Sequence, residues 1–167
     1  MSELTTICAV LAGGASSAIV DLYTRRVPNL LTLGIGALGV ALAATRMTGV
    51  SVLGALGGFA VGLVLMLPGH VFGATGAGDV KLFAALGTLL GPGRTGAAFI
   101  YTALAGGLIA VIVASRRRRL GATVERTAAL VRTRGSNVAE IERATENNRF
   151  AYAPAIAVGA LAAALGL

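Results

Sequence analysis

Two aspartates, and no others, occur in this chain of 167 residues, and each lies at the edge of a strongly apolar segment. Asp21 follows the stretch Leu4–Val20, and Asp79 follows a glycine-rich run that leads into another apolar segment. Two carboxylates brought close together share a proton, which provides one base and one acid in the same site. The base can activate water while the acid polarises a peptide carbonyl and then protonates the departing amine. This chemistry needs neither a metal nor a covalent intermediate.

The composition indicates that the bilayer is the solvent of this chain. Hydrophobic residues make up 56%, the mean hydropathy is +0.82, and only 13% of residues are charged, against about 25% in a soluble domain. The net charge of +7 could suggest nucleic acid, but no aromatic residues are interleaved with the basic ones, so base-stacking platforms are missing. We expect no nucleic-acid partner. The lone Cys8 and lone His70 predict no multi-cysteine metal site, and we expect no metal and no cofactor.

Six apolar segments predict an all-α membrane protein, a bundle of six transmembrane helices with short loops. The fourth is the shortest and follows the glycine-rich run, which would then lie below the membrane surface. Backbone of that kind is tolerated there only where protein or a watery cavity satisfies it. The segments are Leu4–Val20, Leu30–Ala44, Val50–Leu67, Val80–Leu90, Gly96–Ala114 and Pro154–Leu167.

The basic residues predict the orientation of these segments. With six spans, the connections after the first, third and fifth share one side, and every Lys and Arg except Arg46 and Arg94 falls on it. By the positive-inside rule this side is cytoplasmic, so both termini lie outside. Asp21 and Asp79 are then at the same membrane depth on the cytoplasmic face.

The long connection 115–153 carries nine arginines and four glutamates. Apolar residues at helical spacing, and Asn137 followed three residues later by Glu140, predict an amphipathic helical connection on the cytoplasmic side. We expect it to be solvated or to lie on anionic lipid, with guidance of a substrate as the alternative.

A structural interpretation of the acidic residues stays open beside the chemical one. Asp21 could pair with Arg25, and Asp79 could cap the helix that follows it. Gly76 and Gly78 would let another chain approach closely. Lys81 would extend to the interface, or else tune the acid or hold substrate, and Asn29 would cap the second span, unless it too belongs to the site.

Three regions together resemble one known family. They are DLYTRRVPN (Asp21–Asn29), GAGDVKL (Gly76–Leu82) and FAYAPAIAVGAL (Phe150–Leu161), and they resemble the type IV prepilin peptidases, intramembrane aspartic proteases with a G-x-G-D signature. The resemblance implies that Asp21 and Asp79 are catalytic and that Gly76 and Gly78 are the signature glycines. Lys81 and Asn29 are candidates for substrate binding or for support of the motifs.

The resemblance also implies a reaction and its partners. Residues 1–167 would form one integral-membrane peptidase domain that cleaves the basic leader of a membrane-inserted prepilin at the cytoplasmic membrane face of a bacterium or archaeon. The short length resembles the peptidases of Flp/Tad-type pili. The long form's methyltransferase region with its cysteine pairs has no counterpart here, so we do not expect methylation of the product.

Two other functions would use the same residues. A small proton- or ion-coupled transporter could use both acids as a relay. A catalytically inactive relative could only assemble or anchor pilus components.

Overall fold

The structure, a computed structural model, describes residues 2–73, 75–116 and 152–167, and these form five helices without any strand. The helices are α1 (Ser2–Thr24), α2 (Asn29–Ala44), α3 (Val52–Val71), α4 (Ala77–Arg116) and α5 (Ala153–Leu165). The amphipathic connection predicted for residues 115–153 lies almost wholly outside the described residues.

The helices have the lengths and surfaces of a membrane protein. Ser2–Thr24, Val52–Val71 and the part of α4 from Ala77 to Val113 are long and apolar enough to cross a bilayer, while α2 and α5 are apolar but shorter. Large apolar side chains also point away from the protein, for example Leu30 and Leu53, each 81% exposed. A surface of this kind is stable in lipid and costly in water. The prediction of an α-helical membrane protein is confirmed.

The six predicted segments correspond to five elements among the described residues, because the fourth element joins two helices. The predicted fourth and fifth segments belong to one element, α4, whose helical geometry is broken only at Gly91, with φ 75° and ψ 171°. Glycine adopts a positive φ at little cost, and Pro92 can begin a new helical stretch because its missing N–H is not needed there. The single residue Gly91 therefore makes the connection for which the sequence predicts a short loop.

The two halves of α4, residues 77–90 and 92–116, fold back on each other at Gly91. The ring centroids of Phe83 and Phe99 are 6.2 Å apart in an edge-to-face contact. Sixteen residues of continuous helix would separate them by about 24 Å. The reversal returns the second half of α4 to the end of the bundle where the first half begins.

The first half of α4 is the centre of the bundle. Every residue from Leu82 to Gly91 is buried, so this stretch is enclosed on all sides, whereas the other helices each keep one exposed face. It packs against α3, α2 and the second half of α4, and α5 packs against α4 and α1. The helix that carries Asp79 in its first turn is thus surrounded by the rest of the protein.

Glycines allow α3 to approach this central helix at backbone distance. A Cβ on Gly58 would overlap the carbonyl oxygen of Gly87 and stand 2.8 Å from its carbonyl carbon, and a Cβ on Gly62 would stand 2.8 Å from the Cα of Ala84. Small residues in such contacts drive helix association in membranes, where lipid tails remove the hydrophobic advantage of burying large ones.

We predict that Gly58→Ala destabilises the protein, because its new methyl group meets backbone that cannot rotate away. The cost should be about 1–3 kcal/mol, seen as a lower unfolding temperature in detergent. Gly57→Ala is the matched control on the same helix, since its Cβ would make ordinary contact 3.8 Å from Pro92. Equal unfolding temperatures for the two variants would contradict the close-packing account.

Candidate active site

Asp21 lies in the last turn of α1 and is buried, with 5% of its surface exposed. Its Oδ2 accepts a hydrogen bond from the backbone N–H of Ala153, at 3.2 Å. Helix α1 ends three residues later, because Arg25 adopts a positive φ of 52° and Pro28 disfavours helical geometry before it. The buried carboxylate is therefore fixed from the first turn of α5, 132 residues further along the chain.

The structure does not pair the side chains of Asp21 and Arg25, which the sequence offers as a possible ion pair. Within the described ranges, the ion pair is that of Arg94 with Glu3, at 2.9 Å. Arg25 contacts Asp21 through the backbone only, donating its N–H to the Asp21 carbonyl at 2.7 Å. Its exposed side chain can remain in water because α1 has already ended, whereas the Asp21 carboxylate turns inward toward α5.

Asp79 does cap the helix it begins. Its Oδ2 accepts the backbone N–H of Gly76 at 3.1 Å, and the Gly76 carbonyl accepts the N–H groups of Asp79 and Val80. This is the returning half of a capping box, with Gly76 as the N-cap residue and Asp79 three positions on. This cap does not prevent Asp79 from also acting as an acid or base, because a carboxylate can accept several hydrogen bonds at once.

The two glycines of the G-x-G-D stretch have different surroundings. A Cβ on Gly76 would stand 3.1 Å from Oδ2 of Asp79, which is tighter than most real contacts. A Cβ on Gly78 would make ordinary contact, 3.5 Å from the Cβ of Val27. Gly78 therefore packs the start of α4 against the segment that follows Asp21, so the two sequence motifs lie side by side.

Lys81 and Asn29 are also brought together. The Nζ of Lys81 donates to Oδ1 of Asn29 at 3.0 Å, and both residues are exposed. The prediction that Asn29 caps α2 is wrong: the N-cap is Pro28, with no side-chain cap bond, and Asn29 is the first helical residue. Its side chain instead ties the start of α2 to the start of α4.

Tyr152 and Ala153 belong to this site, although the sequence analysis did not select them as site residues. Ala153 binds Asp21, and Tyr152 lies within electrostatic reach of Asp79. Burial, and then the negative charge of Asp79, raise the pKa of the Tyr152 phenol above its ordinary value. In the sequence, only the family resemblance of Phe150–Leu161 indicates the start of α5, and the spacing of its residues does not place it against the two acids.

The six residues singled out from the sequence therefore converge at one end of the bundle. Asp21 and Asp79, which are far apart in the chain, are both in contact or electrostatic reach of the segment 152–153. The opposite end carries the Glu3–Arg94 pair and the turn at Gly91. The fold and this end define a class: a helical membrane protein with a pair of acids beside a glycine-rich helix start.

The chain belongs to the type IV leader peptidase family, whose model matches residues 7–111. The match covers more than half of the chain and includes both aspartates, the glycines of G-x-G-D, Lys81 and Asn29. It ends before Tyr152 and α5. Comparison with curated proteins and with solved structures gives no match.

We predict that Gly76→Ala lowers peptidase activity about tenfold while Gly78→Ala leaves it within about twofold. The methyl group at position 76 displaces the Asp79 carboxylate by a few tenths of an ångström, and the catalytic role predicted for Asp79 makes such a misplacement costly in rate. Alanine is also a poorer N-cap residue than glycine. The measurement is the initial rate of cleavage, normalised to folded protein in the membrane. Equal rates for both variants would show that the cap does not position Asp79.

Proposed function

We propose that this protein is an intramembrane aspartic endopeptidase that removes the basic leader peptide of type IV prepilins at the cytoplasmic membrane face. One observation carries the proposal: in a chain of the type IV leader peptidase family, the only two aspartates of the sequence lie at the same end of the bundle, Asp21 bonded to Ala153 and Asp79 within electrostatic reach of the adjacent Tyr152.

The proposed reaction uses Asp21 and Asp79 as a pair with one shared proton. The ionised carboxylate takes a proton from water, and the resulting hydroxide attacks the scissile carbonyl carbon while the protonated carboxyl donates to its oxygen. Collapse of the tetrahedral intermediate breaks the C–N bond. The carboxyl that took the proton from water gives it to the departing amine, and the other carboxylate recovers a proton from a hydroxyl of the intermediate, so the pair again holds one proton. The products are a leader with a new carboxyl end and a pilin with a new amino end.

The environment of the two acids supports this division of labour. Asp21 is buried and holds one N–H donor, whereas Asp79 is only partly buried and lies at a helix N-terminus. The N-terminus of a helix favours negative charge, with an effect of about 0.3–1 kcal/mol. Two acids in unlike surroundings are the usual arrangement where one acts as acid and the other as base.

The charges of the described residues support a cytoplasmic position for this end. Arg25, Arg26 and Lys81 are exposed near the aspartates, while at the opposite end Arg94 is paired with Glu3. Positive charge marks the cytoplasmic side. A prepilin presents its cleavage site at that surface, where its basic leader meets its apolar helix, so the orientation brings substrate and acids to one depth.

The proposed substrates are the small prepilins of Flp/Tad-type pili. This finer assignment rests on the resemblance to the peptidases dedicated to those pili. The glycine-rich run 73–78 supports it only in a general sense, since glycines permit an extended peptide to approach backbone closely.

We predict that Asp21→Asn and Asp79→Asn each reduce leader removal about 10³-fold, because an amide can neither accept nor deliver the proton. The chain is co-expressed with a candidate prepilin, and processing is followed by gel shift and by mass of the product. Glu3→Gln is the matched control: it removes an acid of the same chain at the far end of the bundle and should process as wild type does.

Three outcomes would contradict the proposal. If both Asn variants process prepilin normally, the acid pair is not catalytic. If the wild type cuts no prepilin but the Asn variants abolish an ion-coupled uptake that it supports, the acids serve transport. If it cuts no prepilin and the variants assemble pili normally, the chain has only an assembly role.

A further inference from the structure

The two residues that precede and begin α5 relate to the two acids in different ways. Ala153 uses its backbone N–H, which holds Oδ2 of Asp21. Tyr152, the N-cap residue of α5, uses its side chain. Because the two residues are adjacent, the bond between Ala153 and Asp21 also restricts where Tyr152 can lie.

The Tyr152 ring is held in place by Gly106 in the second half of α4. A Cβ on Gly106 would stand 2.6 Å from Cε2, 2.9 Å from Oη and 3.0 Å from Cζ of Tyr152. The contact is thus with the phenolic end of the ring, and only a glycine leaves room for it. The neighbouring Gly107 has nothing within 4 Å of a Cβ, so the close fit is specific to position 106.

The phenol so placed lies near a carboxylate in a partly buried site. Asp79 caps the start of α4 at the end of the bundle where Ala153 binds Asp21. Burial first, and then the negative charge of Asp79, raise the pKa of the Tyr152 phenol. A phenol can donate or accept a hydrogen bond, whereas an ionised carboxylate can only accept. Between the two, the phenol is therefore the donor. Hydrogen bonds to an ionised group are shorter and about twice as strong as those between neutral groups.

We infer that Tyr152, braced by Gly106, is a positioning residue of the aspartate pair: its hydroxyl donates to the Asp79 carboxylate and holds it toward Asp21. Asp21 is fixed from the next residue through the N–H of Ala153. The start of α5 thereby binds both acids and sets the distance between them. This inference rests on the proposed function. It concerns a residue outside the range 7–111 that the family model matches.

The test uses the full-length protein with three variants. Tyr152→Phe removes only the hydroxyl and keeps the ring against Gly106. Gly106→Ala displaces the ring and leaves Tyr152 and both acids unchanged in type. Gly107→Ala is the matched control, one residue away with open space around it. For each, kcat and KM for prepilin cleavage are measured in detergent or proteoliposomes, together with the unfolding temperature.

We expect Tyr152→Phe and Gly106→Ala to lower kcat between about ten- and a hundredfold, the loss of one hydrogen bond to a charged group. KM should stay within about twofold, because the hydroxyl acts on Asp79 and not on the bound peptide. The unfolding temperature of Tyr152→Phe should match that of wild type, and Gly107→Ala should match wild type in every measurement.

The inference is overturned if Tyr152→Phe and Gly106→Ala retain the wild-type kcat. It is equally overturned if Tyr152→Phe loses activity only in proportion to lost folded protein, which would be a purely structural role. A wild type that leaves prepilin intact would instead overturn the proposed function, and this result is distinct from a wild type that cleaves as fast as its variants.

Discussion

The close packing of α3 against the first half of α4 is the contact on which the site depends. Gly58 and Gly62 of α3 meet the backbone of Gly87 and Ala84, so the two helices approach more closely than side chains would allow. This approach, with α2 and the second half of α4 on other sides, encloses residues 82–91 completely. Packing on all sides constrains the central helix, and this fixes where Asp79, in its first turn, lies at the end of the bundle.

The site is assembled from helix ends instead of from a loop domain. The last turn of α1 supplies Asp21 and the first turn of α4 supplies Asp79. The start of α5 supplies the N–H that binds Asp21 and the phenol that the charge of Asp79 reaches. Lys81 and Asn29 join the starts of α4 and α2 at the rim. Helix ends carry unpaired backbone groups, so they can hold carboxylates at a depth where irregular backbone would be costly.

Much of this arrangement could be predicted from the sequence, since charge and glycine are conspicuous in an apolar chain. Asp21 and Asp79 were placed on one face by the distribution of basic residues alone, and the structure brings them to one end. Capping by Asp79 is one of the two interpretations that the sequence leaves open, and the structure shows it from the third helical position, with the N–H of Gly76 as the donor. These predictions depend on short-range geometry or on summed charge.

The errors arose where long-range packing decides the outcome. Asn29 was assigned to a cap by residue type, but the Lys81 ammonium, 52 residues away, takes its oxygen. Proximity in sequence makes Arg25 one possible partner of Asp21, but an N–H from α5 binds that carboxylate. The break in α4 needs only Gly91, and a single positive φ cannot be told from a five-residue loop in the sequence GPGRT. Tyr152 was missed for the same reason: its partner Gly106 lies 46 positions away and carries no chemical signal.

The measurement that most directly tests the central claim is a distance between positions 21 and 79 in the membrane. Asp21→Cys and Asp79→Cys are combined in a Cys8→Ser background and treated with a short thiol crosslinker. Gly14→Cys with Ala157→Cys is the positive control, because a Cβ on Gly14 would lie 3.1 Å from the Ala157 Cβ. Asp21→Cys with Arg94→Cys, at opposite ends of the bundle, is the negative control. The account predicts that the 21–79 pair crosslinks as the positive control does. A 21–79 pair that fails to crosslink, while the positive control succeeds, would contradict a shared aspartate site.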